Sequence, residues 1–277
     1  MTSVCVVSDS TTLFPNPVFA GRNRVHLLPA AWQGENGAER LKASDFPLSL
    51  KSQAALQLAT PSAAELEAFF RKLGAHYDGV LMIVHAERFG GLAPVAARAA
   101  ASLHGSLPVR VIDSGTLGLG LGLLVQAAAE AAEGGLSLAD LDLHTRNLSA
   151  RIYGLLCIPG LSYLQRSGLV NPSQAMVGEY LKITQVYTLE EGELMPSQKT
   201  RNARHLVDAL HEFLSEFDDL EHVAIMQGVP AFDQETRALR ERLLEERGAL
   251  SISEQTVNAP VASFVGPHSL GIFALER

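Results

Sequence analysis

Three short apolar runs, each ending in a polar turn, constrain this chain most. Val4–Val7 leads into SDSTTLFP (8–15), Val80–Val84 into VHAERFGG (84–91), and Val109–Ile112 into IDSGTLGLG (112–120). The first two are four or five consecutive apolar residues and the third is apolar apart from Arg110, a pattern that suits strands inside a parallel sheet. Between the first two runs, Ser62 stands three residues before Glu65, a capping box ahead of the amphipathic LEAFFRKL. Ala93–Leu103 and Leu121–Ala132 read as further helices, and Ser137, three before Asp140, caps another just after Gly134-Gly135. Strand–helix alternation predicts an α/β class with a layered N-terminal lobe, residues 1–148, whose mainly parallel sheet is flanked by helices.

Residues 149–277 predict a second α/β lobe. Ile152–Ile158, His222–Gln227, Ala249–Gln255 and Gly271–Leu275 read as strands, and TLEEGELMPS makes an acidic turn at Gly192. Helices are expected over about 202–217 and 232–247. Neither an internal repeat nor a low-complexity linker separates the halves, which predicts close packing.

Composition removes several classes of function. The chain has 277 residues, 47% hydrophobic and 19% charged, and it carries a formal net charge of −8 without a long basic run. That balance fits a folded protein and disfavours a nucleic-acid surface. Cys5 and Cys157 lie inside apolar runs, so they read as buried thiols of a reducing compartment and not as a disulfide. The opening MTSVCVVSDS has no basic segment ahead of its apolar residues, and no apolar stretch reaches the roughly 18 residues of a membrane span. The expectation is a soluble, cytoplasmic protein.

In open α/β sheets ligands bind beyond the carboxyl ends of the strands, so the three polar turns point to a pocket at one edge. Asp9-Ser10 and Asp113-Ser114 are near-duplicates there, suited first to capping and Asx-turns and second to ligand contact. Gly118, Gly120 and Gly122 make GLGLG, which is not the dinucleotide-binding G-x-G-x-x-G. Their missing Cβ atoms predict close approach of a helix start to a neighbour or a ligand, at about 1 kcal/mol per helical Gly. No nucleophile elbow, Walker loop or H-E-x-x-H occurs, and the histidines show no metal-ligand spacing. His85, after a buried strand, reads as a hydrogen-bonded core histidine. Arg151, Arg166, Lys182, Lys199 and Arg201 read by default as solvated charges.

Five segments in order resemble the DegV family of fatty-acid-binding proteins, nearly end to end. They are DSTTLFP (9–15), VIDSGTLGLGLGLLVQAA (111–128), LSYLQRSG (161–168), EEGELMPSQKTR (190–201) and VGPHSLG (265–271). The resemblance implies two α/β lobes with an acyl chain in a cleft between them. It implies a carboxylate head held by hydroxyls and a histidine near the C-terminus, and a kinase partner that phosphorylates that carboxylate. It also implies that the glycines keep a helix start thin beside the cleft.

The chain departs from the family at the head-group positions. Leu58-Ala59-Thr60-Pro61-Ser62 stands for T-S-Q-P-S, Gly91 for the binding serine, Ser167-Gly168-Leu169 for G-G-R, and Phe264 for the terminal histidine, while His268 replaces a glycine. Gly118 stands where serine is usual. Thr60, His268 and Arg166 are the candidate replacements, and the expected ligand-binding set is completed by Leu58, Gly91, Phe264, Ser10, Ser114, Gly118 and Gly120. The function expected is non-catalytic binding of a long-chain fatty acid or similar lipid, with no metal and no cofactor. Burying about 14 methylenes at ~0.8 kcal/mol each drives binding by roughly 11 kcal/mol gross, whatever the head group. The alternatives are a neutral or differently headed amphiphile, which the depleted head-group site would suit, and a small-molecule hydrolase using Asp9, Asp113 and His85.

Overall fold

The computed structural model describes residues 3–33, 41–50, 56–181 and 183–277; Lys182 lies outside them. The apolar runs form strands β1 (Val4–Ser8), β3 (Gly79–Val84) and β4 (Val109–Asp113), joined by a short β2 (Val25–Leu27). They pair in the order β2-β1-β3-β4, all parallel. Helix α1 (Ala63–Leu73) starts at the Ser62–Glu65 capping box and buries Leu66, Phe70 and Leu73. With α3 (Leu92–Ser102) it covers one face of the sheet, in a core that includes Cys5, Val80 and Met82. A one-turn helix α2 (Glu87–Gly90) precedes α3. On the other face lie α4 (Gly118–Glu133) and α5 (Leu138–Ser149), the latter capped by Ser137 as its sequence predicts.

The second sheet draws on residues 152–276 alone. Its order is β7-β6-β5-β10-β8-β9, with β5 (Ile152–Pro159), β6 (Thr184–Glu190), β7 (Glu193–Thr200), β8 (Leu220–Gln227), β9 (Ser251–Thr256) and β10 (Leu270–Glu276). Pairing is antiparallel except between β8 and β9. The chain's last strand is therefore central, and Pro196, which lacks a ladder N–H, sits on the edge strand β7. Helices α8 (Ala203–Ser215) and α9 (Asp233–Arg247) cover the outer face. The inner face receives α6 (Ser162–Arg166), α7 (Pro172–Leu181) and α10 (Ala259–Val265).

Helix α4 is the joint between the lobes. Leu121, Leu124 and Val125 pack into the first sheet's core, whereas Leu119 packs with Met226 and Phe273 of the second. This contact explains the glycines. A Cβ on Gly122 would fall 1.7 Å from the Leu13 carbonyl oxygen, and one on Gly120 would fall 2.7 Å from Phe273. Gly118 adopts φ 59°, and its missing Cβ leaves room for the Met226 sulfur. The close approach expected from the sequence is present, but its object is the other lobe and the 13–14 backbone. Gly118 and Gly120, expected among the ligand residues, do not line the cavity described next.

Candidate lipid-binding site

The turns after β1 and β3, helices α1 to α3, and helices α6 and α10 enclose a cavity of about 410 Å³, within the range of small-molecule sites. Its apolar wall includes Leu28, Leu58, Leu66, Phe69, Phe89 and Leu92. Residues 57–59 lie beside 31–33, with Ala59 N–H donating to Ala31 O (2.7 Å) and Gln33 N–H to Gln57 O (2.9 Å), which sets Leu58 over the opening. The C-terminal lobe contributes Arg166, Ser167, Ser263 and Phe264, so the cleft lies between the lobes as the family resemblance implies.

One chain of contacts defines the polar part of this cavity. Asp9 follows β1 and is buried; its Oδ1 accepts from Thr11 N–H (2.9 Å) and Thr11 Oγ1 (2.6 Å). Its Oδ2 accepts from the His85 backbone N–H (2.8 Å) and lies 3.0 Å from His85 Nδ1. Burial alone would push His85 down and Asp9 up. Their mutual charge outweighs burial, so His85 titrates above its ordinary value and Asp9 below. The His85 ring sits 5.5 Å from Phe264, which sits 5.9 Å from Phe89. Thr60 Oγ1 donates to Gly90 O (3.0 Å), beside the same ring.

Arg166 enters from α6. Its guanidinium lies 5.2 Å from the Tyr163 ring centre and donates from Nη2 to Ser263 O (2.7 Å). Nε and Nη1 are buried without a hydrogen-bond partner among the described residues. Burial draws the Arg166 pKa down and pushes the Tyr163 hydroxyl up to about 12. Such unpaired donors on a half-buried guanidinium favour a further acceptor, because each unmade charged hydrogen bond costs free energy. Arg166 is thus not the solvated charge of the default reading: it is half-buried and lines the cavity.

Of the ten expected ligand residues, Ser10, Leu58, Thr60, Arg166 and Phe264 line the cavity. The other five do not. Gly91 adopts φ 61° and links α2 to α3, a left-handed position that suits glycine. Ser114 is tied into its own turn, accepting from Thr116 N–H (3.2 Å) and donating to Thr116 O (3.1 Å). Neighbouring Asp113 accepts from Glu87 N–H (3.0 Å) and Gly115 N–H (2.9 Å), as a turn-forming carboxylate. His268 stacks on Phe232, centroids 4.5 Å apart, with Nδ1 2.9 Å from Pro230 O, so its ring serves the β8–α9 connection. Gly118 and Gly120 belong to the lobe joint. The lining also includes Gly90 and His85, which sequence reasoning had not placed there; only the position of His85 after its strand hinted at the latter.

The fold and site together define a class: a two-lobed α/β protein holding a largely apolar cavity whose lining includes Asp9, Glu65 and Arg166, with no metal-binding cluster among the described residues. Residues 3–277 match the DegV family, whose description is an uncharacterised protein family, and the chain belongs to it. A DegV domain-containing protein of Streptomyces coelicolor, SCO2569, is 25% identical over 283 residues, covering 99% of both chains. A fatty-acid-binding DegV family protein of Thermus thermophilus superposes with a TM-score of 0.83 at 23% identity over the full length of both. The Streptococcus pneumoniae fatty acid kinase B3 protein loaded with linoleic acid superposes at 0.80 with 18% identity, again over both full lengths. No helix among the described residues is long and apolar enough to cross a membrane.

Proposed function

We infer that this protein binds a long-chain fatty acid in the inter-lobe cavity, without altering it, and presents its carboxyl group to a partner kinase. The observation that carries this reading is the half-buried Arg166 side chain, whose Nε and Nη1 are buried without a partner among the described residues, in the lining of a largely apolar cavity. Burial of hydrocarbon supplies the drive, and Arg166 offsets the cost of desolvating an anionic head. Thr60 and Ser10 stand in the same lining, where their hydroxyls complete the head-group environment. Kinship with fatty-acid-binding DegV proteins and with a fatty acid kinase B protein supports both the ligand and the kinase step.

A neutral head can accept from Arg166 but forms no charge-assisted pair with it, which favours the acid over the alcohol or ester. The hydrolase alternative needs a nucleophile paired with a base. Asp9 and His85 are adjacent, but His85 Nε2 has no hydrogen-bonded hydroxyl among the described residues. The carrier reading requires neither metal nor cofactor, and it sets the protein in the cytoplasm, where a kinase finds ATP.

The test is native mass spectrometry of protein purified from cells, followed by titration of delipidated protein with palmitate. A co-purifying fatty acid, and an Arg166→Met variant about tenfold or more weaker for palmitate, are expected from the loss of a charged hydrogen bond. Protein that neither carries nor takes up a fatty acid would refute the reading.

A further inference from the structure

Besides α4, the tip of the β6–β7 hairpin joins the lobes. Its central residues, Glu191 and Gly192, have φ 49° and 85°, as a tight two-residue hairpin turn demands. Glu191 is the one non-glycine with positive φ among the described residues, in a place where Asn, Asp or Gly is usual. The strained tip meets the first lobe backbone to backbone. A Cβ on Gly115 would fall 3.2 Å from Gly192 N, and one on Gly192 would fall 3.6 Å from both Gly115 Cα and Ala86 Cβ. Beside this contact Arg88 pairs with Glu193, Nε to Oε2 3.5 Å, with the side chains 48% and 60% exposed.

The residues that the tip touches belong to the cavity wall. Ala86 caps α2 and Arg88 lies in it, and the same four-residue helix supplies Phe89 and Gly90 to the lining. The start of α2 is fixed to the first lobe, by Ala86 N–H to Thr116 O (2.8 Å) and Glu87 N–H to Asp113 Oδ2 (3.0 Å). Phe89 then reaches across to Phe264 of the second lobe, ring centres 5.9 Å apart, and so closes the cavity where the lobes meet. One segment of chain, between α5 and β5, links the lobes covalently, so they part wherever their contacts release. An exposed ion pair adds little and breaks readily in water, and strained backbone gathers at switch regions. Both belong to a contact that opens.

We propose that the β6–β7 tip is a latch between the lobes: seated on Ala86 and Gly115 it holds the cavity shut, and the acid enters and leaves when the tip lifts off α2 and Phe89 parts from Phe264. This gate rests on the fatty-acid reading for its cargo and adds the step that admits and frees it.

The experiment locks the latch with Ala86→Cys/Gly192→Cys. Its Cβ atoms would stand 3.6 Å apart, inside the roughly 3.5–4.5 Å span of a disulfide, while Cys5 and Cys157 are buried. Delipidated protein is loaded with labelled palmitate while reduced, then oxidised and mixed with excess albumin. Release is expected to be about tenfold or more slower than from the reduced form, and dithiothreitol should restore it. Glu193→Arg, an exposed change that sets a like charge against Arg88, should speed release about two- to fivefold, and Arg88→Glu/Glu193→Arg should return it to the wild-type rate. Oxidised protein that releases palmitate as fast as reduced protein overturns the latch. Where the double-cysteine chain does not fold or does not close its disulfide, an unchanged rate in Glu193→Arg overturns it. Wild-type protein that takes up no palmitate would instead sink the carrier reading, and the latch with it.

Discussion

Gly122→Ala separates two opposed expectations about the lobe joint. Helix propensity alone predicts that alanine inside α4 stabilises by up to about 1 kcal/mol. The structure reverses the sign. The added Cβ would sit 1.7 Å from Leu13 O, 2.6 Å from Leu13 C and 3.2 Å from Phe14 Cα, all backbone atoms that no rotamer change moves. An ordinary contact starts near 3.4 Å, so the 13–14 segment would have to retreat by 3.4 − 1.7 = 1.7 Å. That segment is fastened to the same helix, because Leu13 N–H donates to Gly118 O (3.1 Å). Retreat therefore breaks a hydrogen bond worth about 1 kcal/mol and opens packing worth about 1–3 kcal/mol. A net loss of about 2 kcal/mol, or roughly 4–8 °C in Tm for a chain of this size, is expected after the propensity gain is subtracted. Thermal and urea unfolding, read by circular dichroism, measure it. A Gly122→Ala protein as stable as wild type or more so would refute the account of the glycine run.

Two further outcomes follow from buried ionisable groups. Asp9→Asn should cost about 3–5 kcal/mol near neutral pH, as for other broken buried pairs, and should flatten the stability–pH curve. The sign follows from the two shifts. His85 titrates above 6.5, so its contribution is complete below that pH and is lost as pH rises through the folded value; Asp9 titrates below 3.8, so its contribution holds above that pH and is lost as pH falls through the folded value. Wild-type stability from the pair should thus be greatest between about pH 4 and 6.5, and pH-dependent urea midpoints that do not differ between the two proteins would contradict it. Cys5 and Cys157 are fully buried, and burial pushes Cys5 up to about 12 and Cys157 up as well, so neither should react with a thiol reagent until the protein unfolds.

Much of the first lobe was legible because its signals are local. Uninterrupted apolar runs give β1 and β3, the V-R-V-I run gives the edge strand β4, and the hydroxyl–carboxylate spacing at Ser62 and Ser137 gives two helix starts. The short helices α6, α7 and α10 left little trace, since one to three turns carry no reliable period and tertiary packing decides it. The central place of β10 also lies outside any local pattern, because pairing with β5 joins residues more than a hundred positions apart. At the site, position in the chain pointed to Arg166 and Thr60. It misplaced His268, whose stacking on Phe232 depends on how β8 and α9 meet. It placed His85 as a core histidine, and the ring is buried beside Asp9, but that the Gly90 backbone covers its far nitrogen depends on how α2 follows β3. The glycine run was read correctly as a close approach, but only the fold names the neighbour.

The central claim is that hiding hydrocarbon between the lobes supplies the affinity. Titrating delipidated protein with saturated fatty acids from ten to sixteen carbons tests it most directly. At ~0.8 kcal/mol per buried methylene, each added carbon should tighten Kd about fourfold until the cavity of about 410 Å³ is filled. A Kd that does not change with chain length over this range would contradict the account.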